Sequence, residues 1–188
     1  VVVGTRGAPR SVGDSAVPVD VIAVDEFTKN GSSDMMTLMS AVVPSFNVNS
    51  QPINDASTLV RPANLRGLPP DSTLVLVNGK RRHRSAVITF LGSGLSDGSQ
   101  GPDISVIPSI AIKSVEVLRD GAAAQYGSDA IAGVINFRLK DNNDGGSIEV
   151  KTGQHYEGDG DLKQVAMNVG MPFTSEGFAN FSAEFKQS

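Results

Sequence analysis

One segment has the spacing of a hydrolase nucleophile: Gly94-Leu95-Ser96-Asp97-Gly98 fits the pattern G-x-S-x-G. In hydrolases this serine stands on a sharp turn between a strand and a helix, where its hydroxyl attacks an acyl group. Here Ser99 to Pro102 follow, and they do not readily start a helix. The only downstream histidine, His155, falls in a predicted strand. We therefore interpret the segment as a flexible Gly/Ser loop and do not predict an enzyme.

Two further chemistries fail on spacing. A phosphate loop at Gly79-Lys80 would need a glycine where Leu74 stands, and Arg81 replaces the Ser or Thr that binds magnesium. The carboxylates in 141–144 and 157–161 do not fit a twelve-residue calcium loop and are interpreted as solvated turns. The chain has no cysteine, so thiolate sites are excluded. Neither a metal site nor a cofactor is predicted.

The run Lys80-Arg81-Arg82-His83-Arg84 is the dense basic cluster of the chain. Arginine presents paired donors that match pairs of oxygens, so an anionic small ligand such as a metal chelate is a candidate partner. No aromatic residue interleaves with the cluster, and the net charge is −4. Nucleic acid is therefore not a predicted partner.

Several elements must position these residues. Val17–Val24 alternates as a strand, and a helix with an apolar face from Met35 to Val42 is predicted before Pro44, capped by Ser32 or Ser33, with Asp34 suiting its N-terminal dipole. The polar stretch from Phe46 to Asn64 is predicted to be an exposed loop. Thr73–Val77 reads as a strand that ends in a tight Asn78-Gly79 hairpin. That reversal would bring Pro69–Asp71 and 85–101 to one end of the sheet.

Three period-2 strands follow Gly145. Ile148 and Val150, then Val165 to Met171, then Ala179 to Phe185 place apolar residues at alternate positions. An outer-membrane barrel has this pattern, with apolar groups facing lipid, but an ordinary soluble sheet with one buried face alternates identically. Three strands cannot close a barrel, so the barrel interpretation requires a longer protein.

Composition sets outer limits. Only 39% of residues are hydrophobic, none is Trp, and 20 Gly and 10 Pro indicate many turns. This is a lean core for a self-sufficient domain. No apolar run reaches the roughly 18 residues of a membrane helix. No signal peptide is recognised, so the N-terminus is interpreted as processed or trimmed.

Residues 104–140 carry a resemblance to a known family. Their centre reads Q-Y-G-S-D-A-I-A-G-V-I-N, preceded by the strand Ser114–Leu118 and a small-residue turn through Ala122–Ala124, and ending in the strand Val134–Leu139. Together with V-V-V-G-T-R at the N-terminus and 64–83, this layout resembles the plug domain of TonB-dependent outer-membrane receptors. Those proteins are closed barrels of about 22 strands with the plug in the lumen.

The resemblance implies an α+β fold: a small mixed-sheet plug with short helices and long loops at 1–143, then the first antiparallel strands of an incomplete transmembrane barrel at 144–188. It implies the outer membrane of a Gram-negative bacterium and import of a scarce nutrient such as a ferric siderophore. The implied partners are the energy-coupling protein TonB, the rest of the barrel of the same chain, and a small ligand such as a metal chelate. The basic cluster could then also meet acidic groups on the barrel wall.

The family's functional positions map onto this sequence as follows. Arg66 and Arg119 resemble the arginines that lock the plug to barrel glutamates, with Glu116 in the same neighbourhood. Without those glutamates we expect both arginines to be exposed, disordered or re-paired. The family more often has Gly-Pro after the second arginine, whereas Asp120-Gly121 follows here, and Asp120 could itself pair with Arg119. The apical loops implied to contact ligand contribute Gln51, Asn54, Pro70, Asp71, Arg84, Phe90 and Ser93, and the TonB contact would be a remnant at Val1, Val2 and Val3. The alternative is a soluble periplasmic or secreted α+β ligand-binding module.

Overall fold

Two sets of strands lie in two separate contact units. The structure is a computed structural model that describes residues 19–24, 34–48, 59–89, 94–119, 123–154, 160–174 and 177–187. The first unit comprises residues up to 106 together with 114–138, and the second comprises 107–113 together with 139–188. The division into domains at 143/144 stays a prediction.

The first unit contains a five-stranded mixed sheet. Its described elements, numbered along the chain, are β1 (Val19–Ala23), α1 (Met35–Val42), β2 (Phe46–Asn47), β3 (Asn64–Leu65), β4 (Thr73–Val77), β5 (Lys80–Arg81), β6 (Ile112–Leu118), α2 (Ala123–Tyr126) and β7 (Gly133–Leu139). The strand order is β1-β6-β7-β4-β5, so β1 and β5 form the edges. β1 runs antiparallel to β6, whereas β4 and β7 are parallel.

Continuous apolar runs explain the central strands. Leu74, Val75 and Leu76 are all buried in β4, and 134–137 of β7 are fully buried. A strand buried at successive positions is covered on both faces, and parallel strands are usually of this kind. The predicted strands at 73–77, 114–118 and 134–139 are therefore confirmed, with β6 starting two residues earlier.

The helix α1 is confirmed, but its predicted cap is wrong. Asp34, not Ser32 or Ser33, has the extended N-cap conformation, and its carboxylate accepts hydrogen bonds from the Thr37 backbone N–H at 3.1 Å and hydroxyl at 3.0 Å. A carboxylate can both cap the backbone and interact favourably with the positive end of the helix dipole, so Asp34 fills both the predicted capping role and the predicted dipole role. Four residues of the helix are buried: Met35, Met36, Leu38 and Met39.

The segment predicted to be an exposed loop is paired at its ends. β2 and β3 are antiparallel partners, with Phe46 opposite Leu65 and Asn47 opposite Asn64. Phe46 and Asn64 are buried, as is Val60. The loop prediction was based on the polar centre of the segment, whereas the residues at its two ends form the β2–β3 strand pair. Residues 49–58 lie outside the described residues.

The Asn78-Gly79 hairpin is confirmed. Asn78 has φ 50° and Gly79 φ 78°, the two positive values that such a turn requires, and Leu76 pairs with Arg81. The small-residue turn before β7 is partly helical: α2 ends at Tyr126, and the 3₁₀ turn Ser128–Ala130 follows. Between them lies Gly127, whose φ of 102° favours glycine.

The second unit is an antiparallel meander whose faces are inverted relative to a soluble sheet. It consists of β8 (Gly146–Gly153), β9 (Leu162–Pro172) and β10 (Phe178–Gln187). The apolar residues Val150, Phe181 and Phe185 are 65%, 57% and 67% exposed, whereas Gln164 and Asn168 of β9 are 1% and 3% exposed. A soluble sheet would bury the opposite face. The barrel interpretation is therefore supported, and the soluble alternative is not.

Part of the buried polar face is hydrogen-bonded within this unit, whereas the Gln164 side chain has no hydrogen-bond partner among the described residues. Asn168 Nδ2 donates to Asn180 Oδ1 at 2.6 Å and Ser182 Oγ at 2.8 Å, and the Glu184 carboxylate accepts from the backbone N–H and hydroxyl of Ser109, both at 3.2 Å. Ser109 opens a 3₁₀ turn, Ser109–Ala111, which contacts β9 and β10. Within the described ranges, no helix is long and apolar enough to cross a bilayer.

Candidate functional site

Two segments that are distant in sequence, one containing Asp71 and the other running from Arg84 to Gln100, meet at one end of the five-stranded sheet. This arrangement was predicted from the Asn78-Gly79 hairpin. The Gln100 backbone N–H donates to Asp71 Oδ1 at 3.0 Å, and Gln100 Nε2 donates to the Ser85 carbonyl at 2.8 Å. Arg84 Nη1 lies 4.0 Å from Asp71 Oδ1. We call Asp71, Arg84, Ser85 and Gln100 the apical cluster. Because β4 begins next to Asp71 and ends at the Asn78-Gly79 turn, the apical cluster lies at the opposite end of β4 from the turn.

Close packing fixes the base of the apical cluster. A Cβ added to Gly101 would lie 2.5 Å from Pro70 Cβ and 2.7 Å from Pro62 Cβ. Those distances are too short for any carbon pair, so only glycine fits between the two prolines. Pro70 is buried, and the loop that carries Gln100 is held against it.

The G-x-S-x-G serine has a structural role. Ser96 is 2% exposed, and its hydroxyl hydrogen-bonds the Asn64 side chain, with Asn64 Nδ2 at 3.3 Å. Thr89 Oγ1 donates to the Ser96 carbonyl and lies 3.2 Å from Ser99 Oγ. These buried hydroxyl groups brace the two ends of the loop against each other and against β3. The sequence predicted a flexible loop; its described parts are instead internally hydrogen-bonded.

Several predicted contact residues cannot be placed. Of the seven apical residues, only Pro70, Asp71 and Arg84 lie within the described part of the chain, and the structure brings them together. The others lie outside it, as does the predicted TonB contact: Gln51, Asn54, Phe90, Ser93, Val1, Val2 and Val3.

The basic cluster is divided by its contacts. Arg81 pairs with the Asp129 carboxylate and also donates to the Tyr126 carbonyl, which ties the β4–β5 hairpin to the turn after α2. Four members of the cluster, Arg81 to Arg84, line a cavity of about 230 Å³ together with parts of β4 and the apical cluster, whereas Lys80 does not. The Q-Y-G-S-D-A block thus contributes a partner for an arginine 48 positions earlier.

The two predicted lock arginines lie close together. Arg119 Nε donates to Asp20 Oδ2 at 2.6 Å, and Arg66 Nη1 donates to the Arg119 carbonyl at 2.9 Å. Of the three outcomes left open for the arginines, exposed, disordered or re-paired, Arg119 shows re-pairing, with Asp20 as its partner. The suggested partner Asp120 lies outside the described residues. Arg66 is exposed and has a φ of 57°.

Glu116 is buried in the sheet rather than displayed beside the arginines. It is 4% exposed, and its Oε2 accepts a hydrogen bond from Asn136 Nδ2 at 3.0 Å. Asn136 Oδ1 in turn accepts from the Gly79 backbone N–H at 2.9 Å. Sequence reasoning missed Asn136, although a polar residue inside the apolar run of β7 is a usable signal. Asp20 and Gln100 gave no comparable signal.

Comparison with known proteins gives a consistent family. A model described as the TonB-dependent receptor plug domain matches residues 11–134. A probable TonB-dependent siderophore receptor, PirA of Acinetobacter baumannii, is 37% identical over 119 residues, which cover 62% of this chain and 16% of that receptor. The ferrienterobactin receptor of Escherichia coli K12 is 31% identical over 122 residues, 65% of this chain and 16% of that receptor.

Solved structures extend the similarity into the meander. The crystal structure of the siderophore receptor PirA from Acinetobacter baumannii aligns with 93% of this chain and 25% of its own, at a TM-score of 0.70 and 28% identity. The chain spans about a sixth of the length of the curated relatives that it matches.

Proposed function

Because the chain belongs to the family of TonB-dependent receptor plug domains, we propose that it is the gate and ligand platform of a transporter that imports a ferric siderophore. Receptors of this family lie in the outer membrane of Gram-negative bacteria, and this chain belongs there. The proposal depends on one observation: the residues that match the plug model are followed in the chain by strands whose apolar face is exposed. Apolar residues facing outward are what a lipid-facing barrel strand requires.

Ligand binds at the apical cluster in this proposal. Asp71, Arg84 and Pro70 present a carboxylate, a guanidinium and a rigid turn at one end of the sheet. Gln51, Asn54, Phe90 and Ser93 also contact the ligand in this proposal. A ferric chelate carries anionic oxygens, so Arg84 supplies charge-assisted donors to it. The relatives named as siderophore receptors support this class of ligand.

The energy for import comes from TonB, which binds the N-terminal segment near Val1, Val2 and Val3. Ligand binding favours the conformer that exposes this segment, since a ligand shifts an equilibrium only by binding one state more tightly. Pulling on the segment then rearranges the plug and opens a path to the periplasm. Arg66 and Arg119 hold the plug to barrel carboxylates until that step.

The test is uptake of radiolabelled ferric siderophore by cells that express the full-length receptor and lack their own. Arg84→Gln and Asp71→Asn should each reduce uptake at limiting ligand by about tenfold, the effect of losing one charged hydrogen bond. Arg138→Gln is the matched control. Arg138 follows Phe137, which pairs with Val77 at the end of β4 opposite the apical cluster. Uptake that persists without TonB, or is absent with a panel of ferric siderophores, would refute the proposal.

A further inference from the structure

A gap opens between β4 and the chain that follows β5. Arg82 N–H donates to the Val75 carbonyl at 2.9 Å, and beyond this bond the chain leaves β4. It is next fixed where Ser85 N–H donates to the Gly101 carbonyl at 3.2 Å. The cavity of about 230 Å³ lies in this gap and is open to solvent on one side. We call it the strand-edge cavity.

Positive charge is in excess along its lining. Arg81 is paired with Asp129, and Arg84 Nη1 lies 4.0 Å from Asp71 Oδ1. Arg82 and His83 line the cavity as well, and neither side chain has an ion pair or hydrogen bond to any residue that the structure describes. Arg82 is half-buried, so part of its hydration is already lost. An unpaired, partly dehydrated guanidinium favours binding of an anion.

A second polar group beside the cavity has no partner among the described residues. Thr73 is 3% exposed, and its hydroxyl Oγ1 makes no hydrogen bond to the described residues. Thr73 lines the same cavity. Buried hydroxyl groups in folded proteins nearly always have a partner, so this one indicates that a hydrogen-bonding group is missing nearby.

We propose that the strand-edge cavity is a carboxylate-binding site, with Arg82 as its principal donor and His83 and Thr73 as neighbouring donors. The planar fork of arginine matches the two oxygens of a carboxylate. The cavity is smaller than the roughly 300–1,000 Å³ of pockets that enclose whole ligands, so it holds one carboxylate group rather than a complete chelate. The carboxylate comes from one of two sources: an acidic side chain elsewhere in the full receptor, or a diffusible ligand.

The experiment uses the purified full-length receptor in detergent. Acetate is titrated at constant ionic strength and binding is followed by saturation-transfer NMR, while deuterium exchange of the peptide that contains 82–85 is measured without acetate. The variant is Arg82→Gln. The matched control is Lys80→Gln, because Lys80 carries the same charge in the same cluster but does not line the cavity. Arg82→Lys, which keeps the charge but not the fork, replaces Arg82→Gln if that variant does not fold.

Either source gives a distinct expected result. If a diffusible carboxylate is the ligand, acetate binds the wild type in the millimolar range, Arg82→Gln weakens it about tenfold, and Lys80→Gln changes it less than twofold. If an acidic side chain fills the site, acetate does not bind, and Arg82→Gln raises exchange of the 82–85 peptide about tenfold whereas Lys80→Gln does not.

The proposal is overturned if Arg82→Gln and Lys80→Gln behave alike in both measurements. Acetate binding of equal strength in all three proteins would likewise mean adventitious binding to surface charge. Neither readout requires transport, so failure of iron import in the wild-type receptor would refute the proposed function and leave this test intact.

Discussion

Arg119 and Asp20 form an ion pair that joins the end of β6 to the edge strand β1, with Arg119 Nε 2.6 Å from Asp20 Oδ2. Arg66 adds to the same group by donating to the Arg119 carbonyl. Both predicted lock arginines therefore have hydrogen-bond partners within the first unit. If Arg119 also pairs with barrel carboxylates, as we propose, they compete with Asp20 for the same guanidinium.

Asp20→Asn should loosen β1 without unfolding the plug. The side chains of Arg119 and Asp20 are 35% and 39% exposed, and ion pairs so exposed contribute at most about 1 kcal/mol. Deuterium exchange of 19–23 in the full receptor should accelerate by about two- to fivefold. Asp141→Asn, which removes the more exposed ion pair with Lys113, is the control and should leave β1 unchanged. Equal exchange in wild type and Asp20→Asn would show that the pair does not hold the strand.

Arg66 allows stability and locking to be separated. Its positive φ costs an L-residue about 1–2 kcal/mol that glycine does not incur. Both Arg66→Gly and Arg66→Ala lose the hydrogen bond to the Arg119 carbonyl, a loss of about 1 kcal/mol. Glycine offsets that loss by removing the φ cost, so Arg66→Gly should retain near-wild-type stability in urea pulse proteolysis, whereas Arg66→Ala should be less stable by about 1 kcal/mol. Both variants lose the guanidinium, so both should admit vancomycin into cells if Arg66 locks the plug. Wild-type antibiotic exclusion in both variants would contradict the lock.

The sequence predicted the elements whose signals are local. The apolar run of β4, the Asn78-Gly79 turn and the alternation of β8 to β10 each depend on neighbouring residues, and all were recovered. Predictions failed where partners are distant in sequence: Phe46 is buried because it pairs with Leu65, and no local pattern reveals that. The same holds for the apical cluster, since Gln100 reaches Asp71 across 29 positions.

Glu116→Ala should destabilise the plug more than Glu116→Gln. Alanine leaves Asn136 Nδ2 without its acceptor in a fully buried site, which costs about 1–3 kcal/mol in addition to the cavity. A glutamine oxygen can accept the same hydrogen bond, so its cost should be smaller. Urea pulse proteolysis of the full receptor measures both. Equal midpoints for the two variants would show that the Asn136 bond is not what Glu116 contributes.

Gly101→Ala should displace the loop that carries Gln100 of the apical cluster. The new Cβ overlaps Pro70 and Pro62, so the loop must shift, and overpacking of this kind costs about 1–3 kcal/mol. Ferric siderophore affinity should fall with it, because Gln100 and Asp71 move apart. Gly153→Ala is the control, since its added carbon would meet Leu162 at an ordinary 3.6 Å. Unaltered affinity in Gly101→Ala would place the ligand contacts away from Asp71.

The exposed face of the meander gives the most direct test of the membrane assignment. Phe181 is 57% exposed in the middle of β10, whereas Ser182 beside it hydrogen-bonds Asn168 on the opposite face. In a lipid-facing position, Phe181→Arg should cost about 2–4 kcal/mol and sharply reduce the heat-modifiable receptor recovered from outer membranes. Phe181→Leu keeps an apolar surface and should assemble normally. In a water-soluble protein the order would be reversed, because arginine in place of an exposed phenylalanine improves solubility; full recovery of Phe181→Arg would therefore mean that this face does not meet lipid.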